Sequence, residues 1–124
     1  MGWTKNNLGG QGEDWAVDFL QNQGYRIIER NFKIKLGEID IIARDGDRIC
    51  FVEVKARTNE ERGSPLEALT YFKRRKLSRL ALAYLKKRYQ SVDVRCRFDV
   101  IAIVMNEKNE PAIELIKDAF GYQE

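Results

Sequence analysis

The chain contains no histidine. That absence removes Ser-His and Cys-His nucleophile pairs and the usual histidine-ligated zinc site, and it leaves carboxylate, lysine and hard-cation chemistry. Cysteine is scarce as well. Cys50 and Cys96 are the only two; they make neither a metal-spaced pair nor a disulfide framework, and both read as small core or edge residues. No apolar run approaches the ~20 residues that span a bilayer, so no membrane partner is expected. The opening MGWTKNNLGG has no apolar h-region of a secretory signal, which makes the cytoplasm the expected compartment. Internal repeats and low-complexity tracts are absent too.

What is present suits one ordinary globular domain over residues 1–124, with 44% hydrophobic and 33% charged residues and enough chain to bury a single core. The net charge of +3 is mild, but its distribution is not: Tyr71 to Gln90 holds eight Lys or Arg and no acid. The local field there is positive.

Periodicity predicts a helix from about Leu8 to Gln23, closed by Gly24 in a left-handed conformation. Trp15, Phe19, Ala16, Leu20 and Val17 form its apolar arc. Glu13 falls inside that arc, whereas Asp14 and Asp18 point away. A strand follows from about Tyr25 to Lys33, then two strands around the turn DGD. The segment RTNEERG reads as a candidate mobile loop. Ser64, Pro65 and Glu67 make a capping box that opens a second helix, running to about Tyr89. VDVRCRFDVIAIVM and AIELIKDAF are the last two strands. This order predicts an α/β fold with a mixed central sheet flanked by helices.

The stretch GEIDIIARDGDRICFVEVK, Gly37 to Lys55, poses the chemical question. Alternation places Glu38, Asp40 and Ile42 on one face of the first strand, and Ile39, Ile41 and Ala43 on the other. On the partner strand Phe51, Glu53 and Lys55 share a face. A two-residue turn at Gly46-Asp47 sets position 40 directly across from position 53, and a turn at Asp45-Gly46 makes them diagonal neighbours on the same face. The charged end of this face calls for a cleft, and the first helix, with Glu13 in its buried arc, is expected to cover it. Two carboxylates a few ångströms apart do not both ionise cheaply without a positive charge between them. A hard cation such as Mg²⁺ (or Mn²⁺) meets that need, taking one or two carboxylates together with water and substrate phosphate. Lys55 projects to the same side and can orient water or stabilise charge on phosphate. The set suits metal-assisted phosphodiester hydrolysis.

Asp40 followed by Glu53-Val54-Lys55 resembles the D...ExK core of the restriction-endonuclease-like, PD-(D/E)xK, nuclease superfamily. Ile39 stands where the superfamily motif has proline. Glu13 is similar to the additional acid of archaeal Holliday-junction resolvases. More narrowly, GEIDIIARDG, FVEVKAR and RFDVIAI resemble the YraN family of uncharacterised bacterial proteins, which is assigned to that superfamily. The likeness spans about Leu8 to Val104. It implies a restriction-endonuclease-like α/β domain and a metal-dependent endonuclease acting on DNA, including branched or structured DNA. Asp40, Glu53 and the Val54 carbonyl are then the metal ligands, with Lys55 catalytic and Glu13 auxiliary.

Each charge also has a plainer explanation. Alternating strand charges usually face solvent; Glu38 reads as a rim charge and Asp99 as a brace for the sheet. In the basic helix Leu66, Leu69, Leu77, Leu80 and Tyr84 make the core stripe, with Arg75, Arg79 and Lys86 opposite. The absence of acids removes i,i+4 pairing and suits a phosphate backbone, so Arg57, Arg74, Arg75, Arg79 and Lys86 are the candidate nucleic-acid contacts. Symmetric cutting of two strands needs two active sites, which a homodimer supplies. The rival expectation, from another class, is a nucleic-acid-binding protein with this fold and little or no catalysis.

Overall fold

A computed structural model of the chain describes residues 5–58, 65–105 and 110–124. Helix α1 (Lys5–Asn22) leads into β1 (Arg26–Ile34), β2 (Gly37–Asp45) and β3 (Arg48–Thr58). A 3₁₀ turn (Pro65–Ala68) precedes helix α2 (Tyr71–Tyr89), and β4 (Cys96–Met105) and β5 (Pro111–Phe120) complete the order. The five strands form one mixed sheet in the order β1-β2-β3-β4-β5. β3 and β4 run parallel, and the other neighbours are antiparallel. Parallel neighbours need a crossover rather than a hairpin, and α2 provides it. Among the described residues no helix is long and apolar enough to cross a membrane.

Each face of the sheet has its own core. On one, Ala16 and Leu20 of α1 pack with Ile41, Ala43, Cys50, Val52, Ile101 and Ile103. On the other, Leu77, Leu80, Ala81, Tyr84 and Leu85 of α2 pack with Ile42, Phe51, Phe98 and Val100. The Tyr84 ring meets Phe32 and Phe51 edge-on, at centroid distances of 5.2 and 5.9 Å. Each such side chain gains roughly 1.5–3 kcal/mol on burial. α2 is therefore clamped to the sheet, and the cations flanking its apolar stripe are held in place.

The expected ends of α1 are close to those observed, and Gly24 takes φ 92° just after the helix. Three expectations need correction. First, the charged face of the β2–β3 hairpin is covered by α2, not by α1. An amphipathic arc shows that a helix packs on a sheet, but not on which face. Second, α2 does not open at the SPLE box. Thr70 adopts an extended conformation, and its Oγ1 caps the helix by accepting from Lys73 N at 3.3 Å. Pro65 to Ala68 winds only as a 3₁₀ turn; the Ser64 cap and residues 59–63 of the predicted loop lie outside the described residues. Third, Ile39 leaves the row shared by Ile41 and Ala43 and joins the α2-side cluster with its cross-strand partner Phe32. The neighbouring Asn31 sits at φ 55°, a left-handed residue that interrupts strict alternation at this end of β1.

Candidate active site

The hairpin turns through Gly46-Asp47, with Asp45 opposite Arg48 and the ladder continuing to Ile41 opposite Val52. In that register position 40 follows opposite position 53, the first of the two arrangements that alternation allowed. The side chain of Asp40 then enters the ladder itself: its Oδ2 accepts the backbone N–H of Val54 at 2.8 Å. One carboxylate is thereby fixed in orientation by the neighbouring strand.

Glu38, Asp40, Glu53 and Lys55 line one cleft of about 300 Å³. Its opposite wall is α2, which contributes Lys73 and Lys76 above Leu77 and Leu80. Lys76 lies across Gly37, so that a methyl group added there would fall 2.6 Å from Lys76 Cε. Three acids and Lys55 thus stand on the sheet, and two further ammonium groups on the helix. Neither lysine was among the expected nucleic-acid contacts, although both follow from helical spacing. Lys73 is four residues before Leu77, and Lys76 four before Leu80, at the edge of the buried stripe.

Glu53 is held well above the ordinary carboxylate range, pushed up to about 9. Burial is the largest cause, followed by its hydrogen bond to Asp40 and the Asp40 charge; Lys55 and Lys73 pull the other way. Glu53 accordingly keeps its proton near neutral pH, beside the Asp40 carboxylate. A raised value means that the folded chain binds this proton more tightly than the unfolded chain. The resulting stability is fully present below the ordinary value of 4.5 and is lost as pH rises through about 9. In metal-free buffer, the melting temperature of the wild type is expected to fall relative to Glu53→Gln as pH rises through that window. Parallel pH dependences for the two proteins would show that the Glu53 carboxyl is not raised.

Glu13 approaches from the α1 layer and does not line the cleft. Gly12 brings α1 close to β3, since a Cβ at that position would lie 3.1 Å from Ala56 Cβ. One carboxylate oxygen of Glu13, Oε1, is buried without a hydrogen-bond partner. Its carboxyl is raised first by burial and next by the charge of Asp40. The structure therefore brings Glu13 within electrostatic reach of Asp40 and Glu38, from the α1 layer.

The expected basic contacts are dispersed. Arg57 lies two residues beyond Lys55 and lines a separate groove with Glu114. Arg74 and Arg75 are half-buried, and Arg79 and Lys86 are exposed. Asp99 has the bracing position expected of it. Fully buried in β4, it accepts from Tyr25 Oη at 3.0 Å, Arg97 Nε at 2.9 Å and Asp118 N at 2.9 Å. The Asp118 N–H reaches it because β5 bulges opposite Asp99 and Asp118 takes φ 52°. Burial, and then the Asp99 charge, raise the Tyr25 phenol, which stays protonated and donates.

All donors at the cleft are hard oxygens or amines. Among the described residues no three His, Cys, Asp or Glu side chains form a ready metal-holding group. A divalent cation would be held by Asp40 and Glu53, with water and substrate oxygen filling its shell, as suits Mg²⁺. The raised Glu53 carboxyl beside Asp40 and the buried, unpartnered Glu13 Oε1 fit that use, because a bound cation would favour the ionised form of carboxyls that burial and mutual repulsion disfavour.

The fold and this cleft define a mixed α/β sandwich with an acid-and-lysine site at the end of its central hairpin. Residues 12–103 match the model of the uncharacterised protein family UPF0102, and the chain belongs to that family. A UPF0102 protein of Geotalea uraniireducens is 52% identical over 114 residues, covering 92% of this chain and 89% of its own. One from Chlorobium chlorochromatii is 48% identical over 122 residues, covering 94% and 93%. A third, from Caldicellulosiruptor saccharolyticus, is 50% identical over 118 residues, covering 94% and 99%.

Proposed function

We propose that the protein is a metal-dependent endonuclease of restriction-endonuclease-like fold that hydrolyses phosphodiester bonds in DNA. The observation that carries this reading is the gathering of Asp40, Glu53 and Lys55 on one wall of the cleft, facing Lys73 and Lys76 on the other. Acids and amines that line one cleft suit a metal ion and a phosphodiester.

Asp40 and Glu53 would hold the cation once Glu53 gives up its proton to solvent, and Asp40 keeps its orientation through the Val54 N–H. Mg²⁺ or Mn²⁺, when bound, would supply Lewis acidity toward the phosphate. Lys55 positions the attacking water or takes charge from a non-bridging oxygen. Lys73 and Lys76 hold the phosphate from the helix side. A new P–O bond forms to the water oxygen as the ester P–O bond breaks, and the proton that the water gives up passes through solvent to the leaving oxygen. Glu13 adds negative field beneath the pair and favours the cation-bound state.

The test is cleavage of a panel of branched, nicked, duplex and single-stranded DNA and of RNA. The wild type should cut at least one DNA with Mg²⁺ or Mn²⁺, and chelation should stop it. Salt-sensitive binding without cleavage on the whole panel would replace this reading with that of a nucleic-acid-binding protein.

A further inference from the structure

Phe72 is 77% exposed, the most exposed large apolar side chain among the described residues. It occupies the first turn of α2, four residues before Lys76 and next to Lys73, both of which line the cleft. Residues four apart on a helix are neighbours on its surface, so the phenyl ring stands beside Lys76 on the helix that walls the cleft, and is not itself part of the lining. Tyr71 meets that ring at a centroid distance of 6.0 Å and an interplanar angle of 67°. Tyr71 is itself tied to the C-terminal residue, its Oη donating to the Glu124 carbonyl at 2.8 Å. The phenyl ring is braced at one side, and most of its surface is open.

An apolar ring beside a run of four cations on its own helix is a poor seat for another apolar protein surface, because Lys73, Arg74, Arg75 and Lys76 would have to be desolvated with it. A polyanion that carries flat aromatic groups satisfies both features at once, stacking on the ring while its phosphates meet the ammonium groups. Bases inside a duplex are already stacked on their neighbours and offer no free face.

We infer that Phe72 is a stacking platform for an unpaired base adjoining the phosphate held by Lys73 and Lys76. The substrate class of the site is then nucleic acid with a single-stranded or displaced nucleotide, rather than intact duplex. This rests on the nucleic-acid reading of the cleft proposed above. It assigns Phe72 to positioning and not to the chemical step.

The test uses fluorescence anisotropy with chelator present, so that binding is read without cleavage. The probes are a duplex, a single strand, a duplex with a single-stranded flap, and flaps carrying one abasic residue at successive positions near the junction. Phe72→Ala should weaken binding to the flap and single strand by about five- to 150-fold, the usual worth of one stacked base, and leave duplex affinity unchanged. Phe72→Trp should retain the wild-type preference. An abasic residue at one position should cost the wild type a similar factor and cost Phe72→Ala nothing. Equal losses on duplex and flap, or an abasic penalty that is the same in both proteins, would overturn the inference. So would loss of self-association in sedimentation on Phe72→Ala with flap affinity intact, which would assign the ring to a second copy of the chain. Flap binding through Phe72 without metal-dependent cleavage would sink the endonuclease but keep the platform. Cleavage of duplex that ignores Phe72→Ala would do the reverse.

Discussion

Lys55→Met is expected to lower metal-dependent cleavage by roughly 10²–10⁴-fold, the range for one group that handles a proton or charge in the transition state. Melting temperature and nucleic-acid affinity should stay near wild type. The reason lies in how the carboxyl pair is already balanced. Asp40 is bonded to the Val54 N–H, and Glu53 keeps its proton through burial and the Asp40 hydrogen bond. The folded chain therefore does not depend on Lys55 to neutralise the pair. A lysine that served only as a counter-charge makes the opposite forecast: its loss would lower the melting temperature, and Mg²⁺ would restore it. Thermal melting with and without Mg²⁺, alongside single-turnover cleavage, separates the two roles. A variant that melts lower, recovers with metal and cuts at the wild-type rate would remove Lys55 from the mechanism.

Arg97→Ala is expected to cost about 3–5 kcal/mol of stability in urea unfolding, the penalty for breaking a buried ion pair from one side. The Arg97 side chain is 9% exposed, and its guanidinium bonds to Asp99 at 2.9 Å and Asp45 at 2.7 Å. The same group donates to Tyr25 Oη at 2.6 Å. Its removal strands a carboxylate that has no contact with solvent. The energetic origin is thus the uncompensated Asp99, and adding Asp99→Asn should recover part of the loss. The double variant should cost less than the sum of the two single ones, because the two residues belong to one network. Additive costs, or a loss below about 1 kcal/mol for Arg97→Ala, would mean that water or rearrangement replaces the arginine.

The hairpin was the most legible part of the sequence. DGD marked its turn, and the apolar pattern favoured the two-residue turns, which keep Asp40 and Glu53 on one face, over a three-residue loop that would split them. Helix faces were less legible. The arc of α1 showed that Ala16 and Leu20 are buried, but the choice between the two sheet faces depends on chain path, which local pattern does not encode. The start of α2 misled because Pro65 and Glu67 satisfy a capping rule at a 3₁₀ turn, whereas Thr70 supplies the cap in fact. Lys73 and Lys76 were overlooked for a related reason: in a run of eight cations, each looks like solvated charge until the helix is placed over the hairpin. Arg97 carried a signal that went unused. Arg97, Asp99, Ile101 and Ile103 alternate along β4, and a charged pair in line with two buried isoleucines points into the same core. Its partners Tyr25 and Asp45 lie too far away in sequence for any local pattern to reveal them.

The central claim is that Asp40 and Glu53 together hold a divalent cation, and calorimetric titration with Mn²⁺ and Mg²⁺ tests it most directly. The wild type should bind metal, more tightly with a nucleic acid present, and Asp40→Asn and Glu53→Gln should each abolish that binding while remaining folded. Binding by both variants that matches the wild type would contradict the account.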